Sequence, residues 1–429
     1  MKKYLVLLLS VLVTSCTNSV KNEDPSTSTK AVPLLGWNSY TGYANSLTEE
    51  QFIDNFNVFC EKLKPSGYEY FVVDAGWDGV NEGVKLDEYG RSIPDTFYFP
   101  NGLKPLIDLV HSRGVKFGIW MARGISRRAV QENLPISGTP YHAQDIASIS
   151  DSSDWFLFNY GIDMSKPGAQ EYYNSVVALL ASWGVDFIKY DDIIPHPDEI
   201  EAVSKAIKLC GKDIKLSLSP GGLATIQNAD AYNYSDMFRI TSDVWDKQSS
   251  IDESFNRWTQ FQSFQNATSN IDLDMIPFGT VFYPERHQDN FNKDQKCTFM
   301  TQRALASSPL FVGGELPVID SLSLALITNS DMLECNQKGS IGKLVCKYDS
   351  ICIWKADNLY DTAVCWVGVF NQGSSSVPQV INKHLLGLSG SLSEYEFFNI
   401  WDDTAISVKD TFSLSVPAHG VAFYKLTKK

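Results

Sequence analysis

Four times between residues 46 and 219 the chain repeats one grammar: apolar side chains at helical spacing, a glycine, then a short run of strand formers. Residues 46–63 put Phe52, Ile53, Phe56, Phe59 and Leu63 on one helical face, with Ser46 and Glu49 spaced as a capping box, before Gly67 and YEYFVVD. Residues 103–112 lead to Gly114 and VKFGIWMA, residues 165–183 to Gly184 and VDFIKYDD, and residues 198–210 to Gly211 and IKLSLS. A glycine in that place supplies the left-handed residue that ends a helix, and the runs are apolar enough to be covered on both faces, as parallel strands are. Further strands are predicted at 34–39, 237–243, 272–279 and 309–314. About eight βα units in this length predict an α/β fold, a (β/α)₈ TIM barrel over residues 32–338. A doubly wound sheet competes, but its Gly-rich phosphate turn is missing.

After residue 338 the pattern changes. KLVCKYDSICIWKA, TAVCWVGVF, YEFFNIW and GVAFYKL are short alternating or aromatic-rich runs, separated by Asp, Asn, Gly and Ser turns with no helical stretch between them. Residues 339–429 are therefore expected to form an antiparallel β-sandwich domain, with a packing role, since nothing there groups carboxylates or histidines.

Barrel chemistry sits at the C-terminal ends of the strands, and here those ends are unusually polar. They carry Trp37 and Asn38, Asp74 and Trp77, Trp120 and Arg123, Lys189 and Asp191, Arg239 and Asp243, and Asp274. Alternation along a strand puts Lys189 and Asp191 on one face and Tyr190 and Asp192 on the other; by the same parity Arg239 and Asp243 share a face. Two carboxylates, each sharing a face with a cation, suit a double-displacement glycosidase, in which one attacks the anomeric carbon ionised and the other holds a proton for the leaving oxygen. Lys189 is expected to keep Asp191 ionised, and burial beside a negative Asp191 to raise the pKa of Asp243. For any one pair structural ion pairing is the better explanation; the collection, with Trp37, Trp77 and Trp120 as apolar surfaces for a sugar ring, favours catalysis.

Several classes are excluded. The formal charge is −14 and no basic tract occurs, so nucleic acid is not an expected partner. No two of the six histidines have zinc-site spacing and no Gly-x-Ser-x-Gly elbow exists, so neither a metal hydrolase nor a serine esterase is expected. The N-terminus is read as an address: Lys2 and Lys3 precede an apolar run, residues 4–13, too short to span a bilayer. Val13-Thr14-Ser15-Cys16 resembles a bacterial lipoprotein signal, which makes residues 1–15 a signal peptide, Cys16 the lipidated residue and residues 16–31 a tether. An exported envelope lipoprotein, touching the membrane only through that lipid, is expected. The seven other cysteines are scattered and odd in number, which suits buried apolar fillers, with a bridge between Cys346 and Cys365 left open.

Five segments in order resemble glycoside hydrolase family 27, the melibiase-like α-galactosidases and α-N-acetylgalactosaminidases. They are GWNSY (36–40), GYEYFVVDAGW (67–77), WGVDFIKYDD (183–192), FRITSDVWD (238–246), and SSPLFVGGEL (307–316) with ECNQKGSIGK (334–343). The resemblance implies a barrel with an antiparallel β domain, no metal or other cofactor, hydrolysis with retention, and an oligosaccharide or glycoconjugate substrate. It implies Asp191 as nucleophile and Asp243 as acid/base, with Trp37, Asp74, Trp120, Lys189, Arg239 and Asp274 in contact with the sugar. Two departures bear on which sugar. Ala75 follows Asp74 where α-galactosidases have a second acidic residue, and SLSPGG (217–222), with Ser219 as its binding candidate, lacks the acidic and aromatic pair that reads a 2-hydroxyl. Those small residues leave room for a 2-acetamido group. The expected activity is release of terminal α-galactosyl residues; α-N-acetylgalactosaminidase and β-L-arabinopyranosidase are the enzyme alternatives, and a surface glycan-binding lipoprotein the non-enzymatic one.

Overall fold

Eight parallel strands curl into a barrel in the computed structural model, which describes residues 30–79, 83–153, 155–264 and 268–429. Cys16, the apolar run before it and most of the tether lie outside the described residues. The strands are β1 (Leu35–Asn38), β2 (Tyr70–Val73), β3 (Lys116–Ala122), β4 (Phe187–Asp191), β5 (Lys215–Leu218), β6 (Met237–Arg239), β7 (Asn270–Asp272) and β8 (Leu310–Val312). Around the sheet they run β7-β6-β5-β4-β3-β2-β1-β8, as a (β/α)₈ barrel requires. The seam between β7 and β8 is closed by two bonds just past β7: Ile276 N–H donates to the Phe311 carbonyl at 2.8 Å, and Gly313 N–H donates to that of Ile276 at 2.9 Å.

The helices that cover this sheet include α1 (Glu49–Val58), α2 (Lys104–Ser112), α3 (Ala169–Trp183), α4 (Pro197–Cys210), α5 (Gln248–Phe261), α6 (Lys293–Ala306) and α7 (Ser330–Lys338). Gly67, Gly114, Gly184 and Gly211 have φ of 92°, 65°, 98° and 69°, the left-handed values a helix-to-strand turn demands. Two local expectations are corrected. The capping box of α1 is Thr48 with Gln51, not Ser46 with Glu49, because the Ser46 hydroxyl is engaged by the Tyr43 carbonyl at 2.7 Å. The seventh strand precedes its expected start and covers Asn270–Asp272, since Asp274 takes a left-handed φ of 71° that breaks the run.

Strand parity divides the apolar residues into two layers. Tyr70, Val72, Phe187, Met237 and Phe311 fill the barrel interior, while Phe71, Ile119, Ile188 and Phe238 pack outward under the helices. Lys189 and Asp191 follow Phe187 on the inward face, so the charged end of β4 opens into the barrel mouth.

The C-terminal strands are β9 (Lys343–Tyr348), β10 (Ile351–Asp357), β11 (Val364–Asn371), β12 (Val377–Asn382), β13 (Tyr395–Asn399), β14 (Thr404–Ile406), β15 (Thr411–Val416) and β16 (Val421–Lys428). A six-stranded antiparallel sheet, β9-β10-β11-β16-β13-β14, shares an apolar core including Val367, Ile381, Val416 and Leu426 with the pair β12-β15. Its other face docks on α5 and α6. Trp258 of α5 stacks on Trp354 of β10 with centroids 3.7 Å apart and planes at 16°, and Phe255 meets Phe370 edge-on at 5.0 Å. All four rings belong to one buried cluster with the barrel's outer layer, so the two parts share a core. Among the described residues, no helix is long and apolar enough to cross a membrane, and the seven cysteines are free thiols, with no bridge from Cys346 to Cys365.

Removing the Trp354 ring leaves a cavity against Trp258 and is expected to cost roughly 3–5 kcal/mol. In urea, Trp354→Ala should shift one cooperative transition seen by both barrel and sandwich probes. Two separate transitions, with the barrel's unmoved, would contradict the shared core.

Candidate active site

Five strand ends converge on a cavity of about 550 Å³ at the C-terminal mouth of the barrel. Asp74 comes from the end of β2, Trp120 from β3, Lys189 and Asp191 from β4, Arg239 and Asp243 from β6 and the turn after it, and Asp274 from just beyond β7. Tyr40 joins them from the turn after β1, where its backbone N–H is anchored by the Asn38 side-chain oxygen at 2.9 Å. Such clefts, with a few converging polar groups among apolar walls, are the usual form of a small-molecule site.

The charges brace each other in two sets. On one side Lys189 Nζ donates to Asp74 Oδ2 at 2.7 Å, and Asn38 donates to the same oxygen at 2.6 Å. On the other, Arg239 spans two carboxylates: Nη2 donates to Asp243 Oδ1 at 2.6 Å, and Nη1 donates to Asp274 Oδ1 at 3.0 Å. The second oxygen of Asp274 accepts the Val244 backbone N–H at 2.7 Å, which ties the turn carrying Asp243 to β7. Asp191 stands between the sets. Its Oδ2 accepts the Trp120 indole N–H at 3.0 Å, and its Oδ1 the backbone N–H of Asp192 at 3.1 Å.

These surroundings set the two carboxyl groups apart, in directions opposite to those expected from sequence. Asp191 lies above the ordinary carboxylate range because its burial outweighs the pull of Lys189, of Arg239 and of the Trp120 hydrogen bond. Asp243, with its side chain 59% exposed toward the cavity, lies below that range: burial would raise it, but Arg239 and Lys189 outweigh burial. Parity had placed a cation beside each carboxylate without revealing that Asp191 is the deeper of the two. Lys189 itself is held above its usual value, since Asp74 and Asp191 overcome its desolvation.

Of the residues singled out from sequence, Asp74, Trp120, Lys189, Asp191, Arg239, Asp243 and Asp274 line this one cavity. Trp37 and Ser219 do not. Trp37 points outward from β1, stacked on Phe71 at 4.4 Å, with its indole N–H donating to the Gly314 carbonyl at 3.0 Å. Parity counted from the inward Gly36 gives the cavity position to Tyr40 instead. Ser219 is buried as a continuation of β5, donating its N–H to the Tyr190 carbonyl at 2.8 Å, and the wall it was expected to form consists of Pro220, Gly221 and Gly222. Trp77 is also interior, its indole N–H held by the Trp120 carbonyl at 2.8 Å. Sequence reasoning missed Tyr40, Trp155, Phe156 and Trp245; only Tyr40 carried a usable signal, its even spacing from Gly36.

Behind Asp191 lies a second cluster. Asp151, His196 and Glu199 bring potential metal-ligand atoms within 4.8 Å of one another. The Arg123 guanidinium already bridges the two carboxylates, donating to Asp151 at 2.9 Å and to Glu199 at 2.7 Å, so the negative charge there is answered by a cation of the chain itself.

Comparison with known proteins gives the family. The sequence model described as alpha galactosidase A matches residues 38–149 and 159–338, and that of the alpha galactosidase C-terminal beta sandwich domain matches residues 354–426. Fold and site together define a glycoside hydrolase. A β-L-arabinopyranosidase of glycoside hydrolase family 27 from Geobacillus stearothermophilus is 33% identical, with a TM-score of 0.88 over 92% of this chain and 96% of that one. A putative α-N-acetylgalactosaminidase from Bacillus halodurans is 34% identical, with a TM-score of 0.83 over 92% and 97%. Alpha-galactosidase 2 of Arabidopsis thaliana is 25% identical over 92% of this chain and 90% of its own length. The chain belongs to the alpha galactosidase A family, glycoside hydrolase family 27.

The Trp120 hydrogen bond favours ionised Asp191, so Trp120→Phe is expected to raise that carboxyl's pKa. In the free enzyme Asp191 is the higher of the two carboxyls, so the alkaline limb of kcat/KM follows it; with roughly 1.5–3 kcal/mol for a hydrogen bond to a charged group, that limb should move up by about 1–2 pH units. An unmoved limb would contradict this electrostatic account.

Proposed function

We propose that this glycoside hydrolase removes terminal α-galactosyl residues from oligosaccharides or glycoconjugates by double displacement, with Asp191 as nucleophile and Asp243 as acid/base. The observation that carries the reading is the pairing of two carboxylates in one cavity, one deep and hydrogen-bonded by Trp120, the other reaching in from the opposite side on Arg239. Asp191 attacks C1 while Asp243 gives its proton to the departing oxygen; Asp243 then takes a proton from the water that releases the sugar. A carboxylate of raised pKa is the stronger nucleophile. Asp243 sits low in the open cavity, and a bound sugar raises it by expelling water and drawing Arg239 toward the ring hydroxyls. Lys189, Asp74 and Asp274 hold those hydroxyls in charge-assisted hydrogen bonds.

A second reading rests on Ala75, which lines the cavity beside Asp74 and offers no hydrogen bond to a C6 hydroxyl. β-L-Arabinopyranose has the ring stereochemistry of galactose without C6, so the same machinery suits a β-L-arabinopyranosidase. The p-nitrophenyl α-D-galactoside, α-D-N-acetylgalactosaminide and β-L-arabinopyranoside separate the readings. Turnover of the galactoside with the α-anomer as first product by NMR is expected, and no turnover of it removes the first reading. Asp191→Asn and Asp243→Asn should each fold normally and lose about 10²-fold or more in kcat, the scale of a general acid or base. Near-normal turnover in either variant would remove its role.

For the address, the pattern from Lys2 to Cys16 supports export as a lipoprotein tethered to the cell envelope. Protein extracted from membranes should have the intact mass of a chain starting at Cys16 plus lipid; a chain starting further downstream would refute it.

A further inference from the structure

The cavity's outer wall is made by a segment with no part in the chemistry described so far. Residues 150–158 fall between the two stretches matched by the family model, yet Trp155, Phe156 and Phe158 line the cavity beside Leu223. Trp155 is 51% exposed and Phe158 37%, while Phe156 is buried beneath them, 5.6 Å from Trp155 and 5.4 Å from Phe158 between ring centroids. Across the mouth Trp245, also in the lining, packs on Tyr283 at 4.9 Å. Exposed aromatic surface continuous with a polar pocket marks a binding groove rather than a misplaced core.

The wall is also held in place. The Trp155 indole N–H donates to Asp192 Oδ1 at 3.2 Å, and Arg123 Nε reaches Asp192 Oδ2 at 3.4 Å. Asp192 is itself fixed in a left-handed conformation, φ 63°, one residue after Asp191. A Cβ at Gly221 would collide with the Asp192 carboxylate, so the glycine lets this aspartate reach across to Trp155. The carboxylate that alternation turned away from the cavity thus fixes an aromatic ring at its rim.

We propose that Trp155, clamped by Asp192 and backed by Phe156, forms a leaving-group subsite that stacks the apolar face of a second sugar ring. This rests on the glycosidase reading above and names the other half of its substrate. A sugar fits better than a charged group because the rim offers ring faces with Ser242 and Asp243 at their base, and no cation faces outward among these lining residues. Asp192 acts through Trp155 and is a positioning residue.

The test compares leaving groups on one glycone: the α-galactosyl fluoride, whose leaving ion is too small to reach Trp155; the disaccharide melibiose; and octyl α-galactoside. For Trp155→Ala, the ratio of kcat/KM on melibiose to kcat/KM on the fluoride should fall about tenfold, the scale of one lost aromatic contact. Asp192→Ala should lower the same ratio, and Asp192→Asn, which keeps an oxygen for the indole N–H, should restore it. A ratio unchanged in Trp155→Ala overturns the subsite, and a larger loss on the octyl glycoside than on melibiose overturns the sugar as its occupant. A wild-type chain that turns over none of the three removes the α-galactosyl reading on which this inference rests and the inference with it, whereas normal wild-type turnover with an unchanged ratio removes the inference alone.

Discussion

The site depends on keeping buried charges paired inside a barrel. Lys189 and Arg239 are each almost fully buried in its mouth, where an unpaired cation would cost several kcal/mol. Asp74 answers the first, and Asp243 with Asp274 answers the second. Each partner comes from a different strand end, so the pairs also fix the distances between strands on which the pocket depends. Asp191 is left between the two sets, close enough to feel both cations and buried enough to stay above its ordinary range. The braces that stabilise the mouth are therefore the groups that tune its carboxylates, which is how one fold holds two acids in different states.

The frame that holds these strand ends is wider than the barrel. The β-sandwich covers α5 and α6, the helices that follow β6 and β7, and those strands lead to Asp243 and Asp274. Stacking of Trp258 on Trp354 and the bond from the Trp401 indole N–H to Thr301 at 2.8 Å tie the sandwich to that side. The C-terminal part contributes no residue to the cavity lining, yet it buttresses the half of the barrel that carries the acid/base candidate.

Much of this was legible in the residues. Period-2 alternation placed Lys189 with Asp191, and the helix-glycine-strand repeat located most of the strands, because both signals are local. Trp37 shows where the reasoning failed: a tryptophan at a strand end suggested a sugar platform, but parity from Gly36 turns it into the layer under the helices and gives the cavity to Tyr40. The seventh strand was misplaced because nothing local announces the left-handed Asp274. The Trp155 wall could not be read at all, since it depends on a loop being drawn to Asp192 by tertiary contacts. The directions of the two pKa shifts also depend on depth, which alternation does not give. Asp192 is the most instructive case, turned from the pocket by parity yet tied to its rim through Trp155.

The central claim is that Asp191 forms a covalent bond to the sugar. A 2-deoxy-2-fluoro glycosyl fluoride of the sugar the enzyme accepts slows both steps, and the intermediate accumulates when its leaving group is good enough for attack to outrun hydrolysis. After peptic digestion, the account predicts one peptide heavier by the fluorosugar, with fragmentation placing the added mass on Asp191. A label on Asp243, on Asp192 or on any other residue would contradict it.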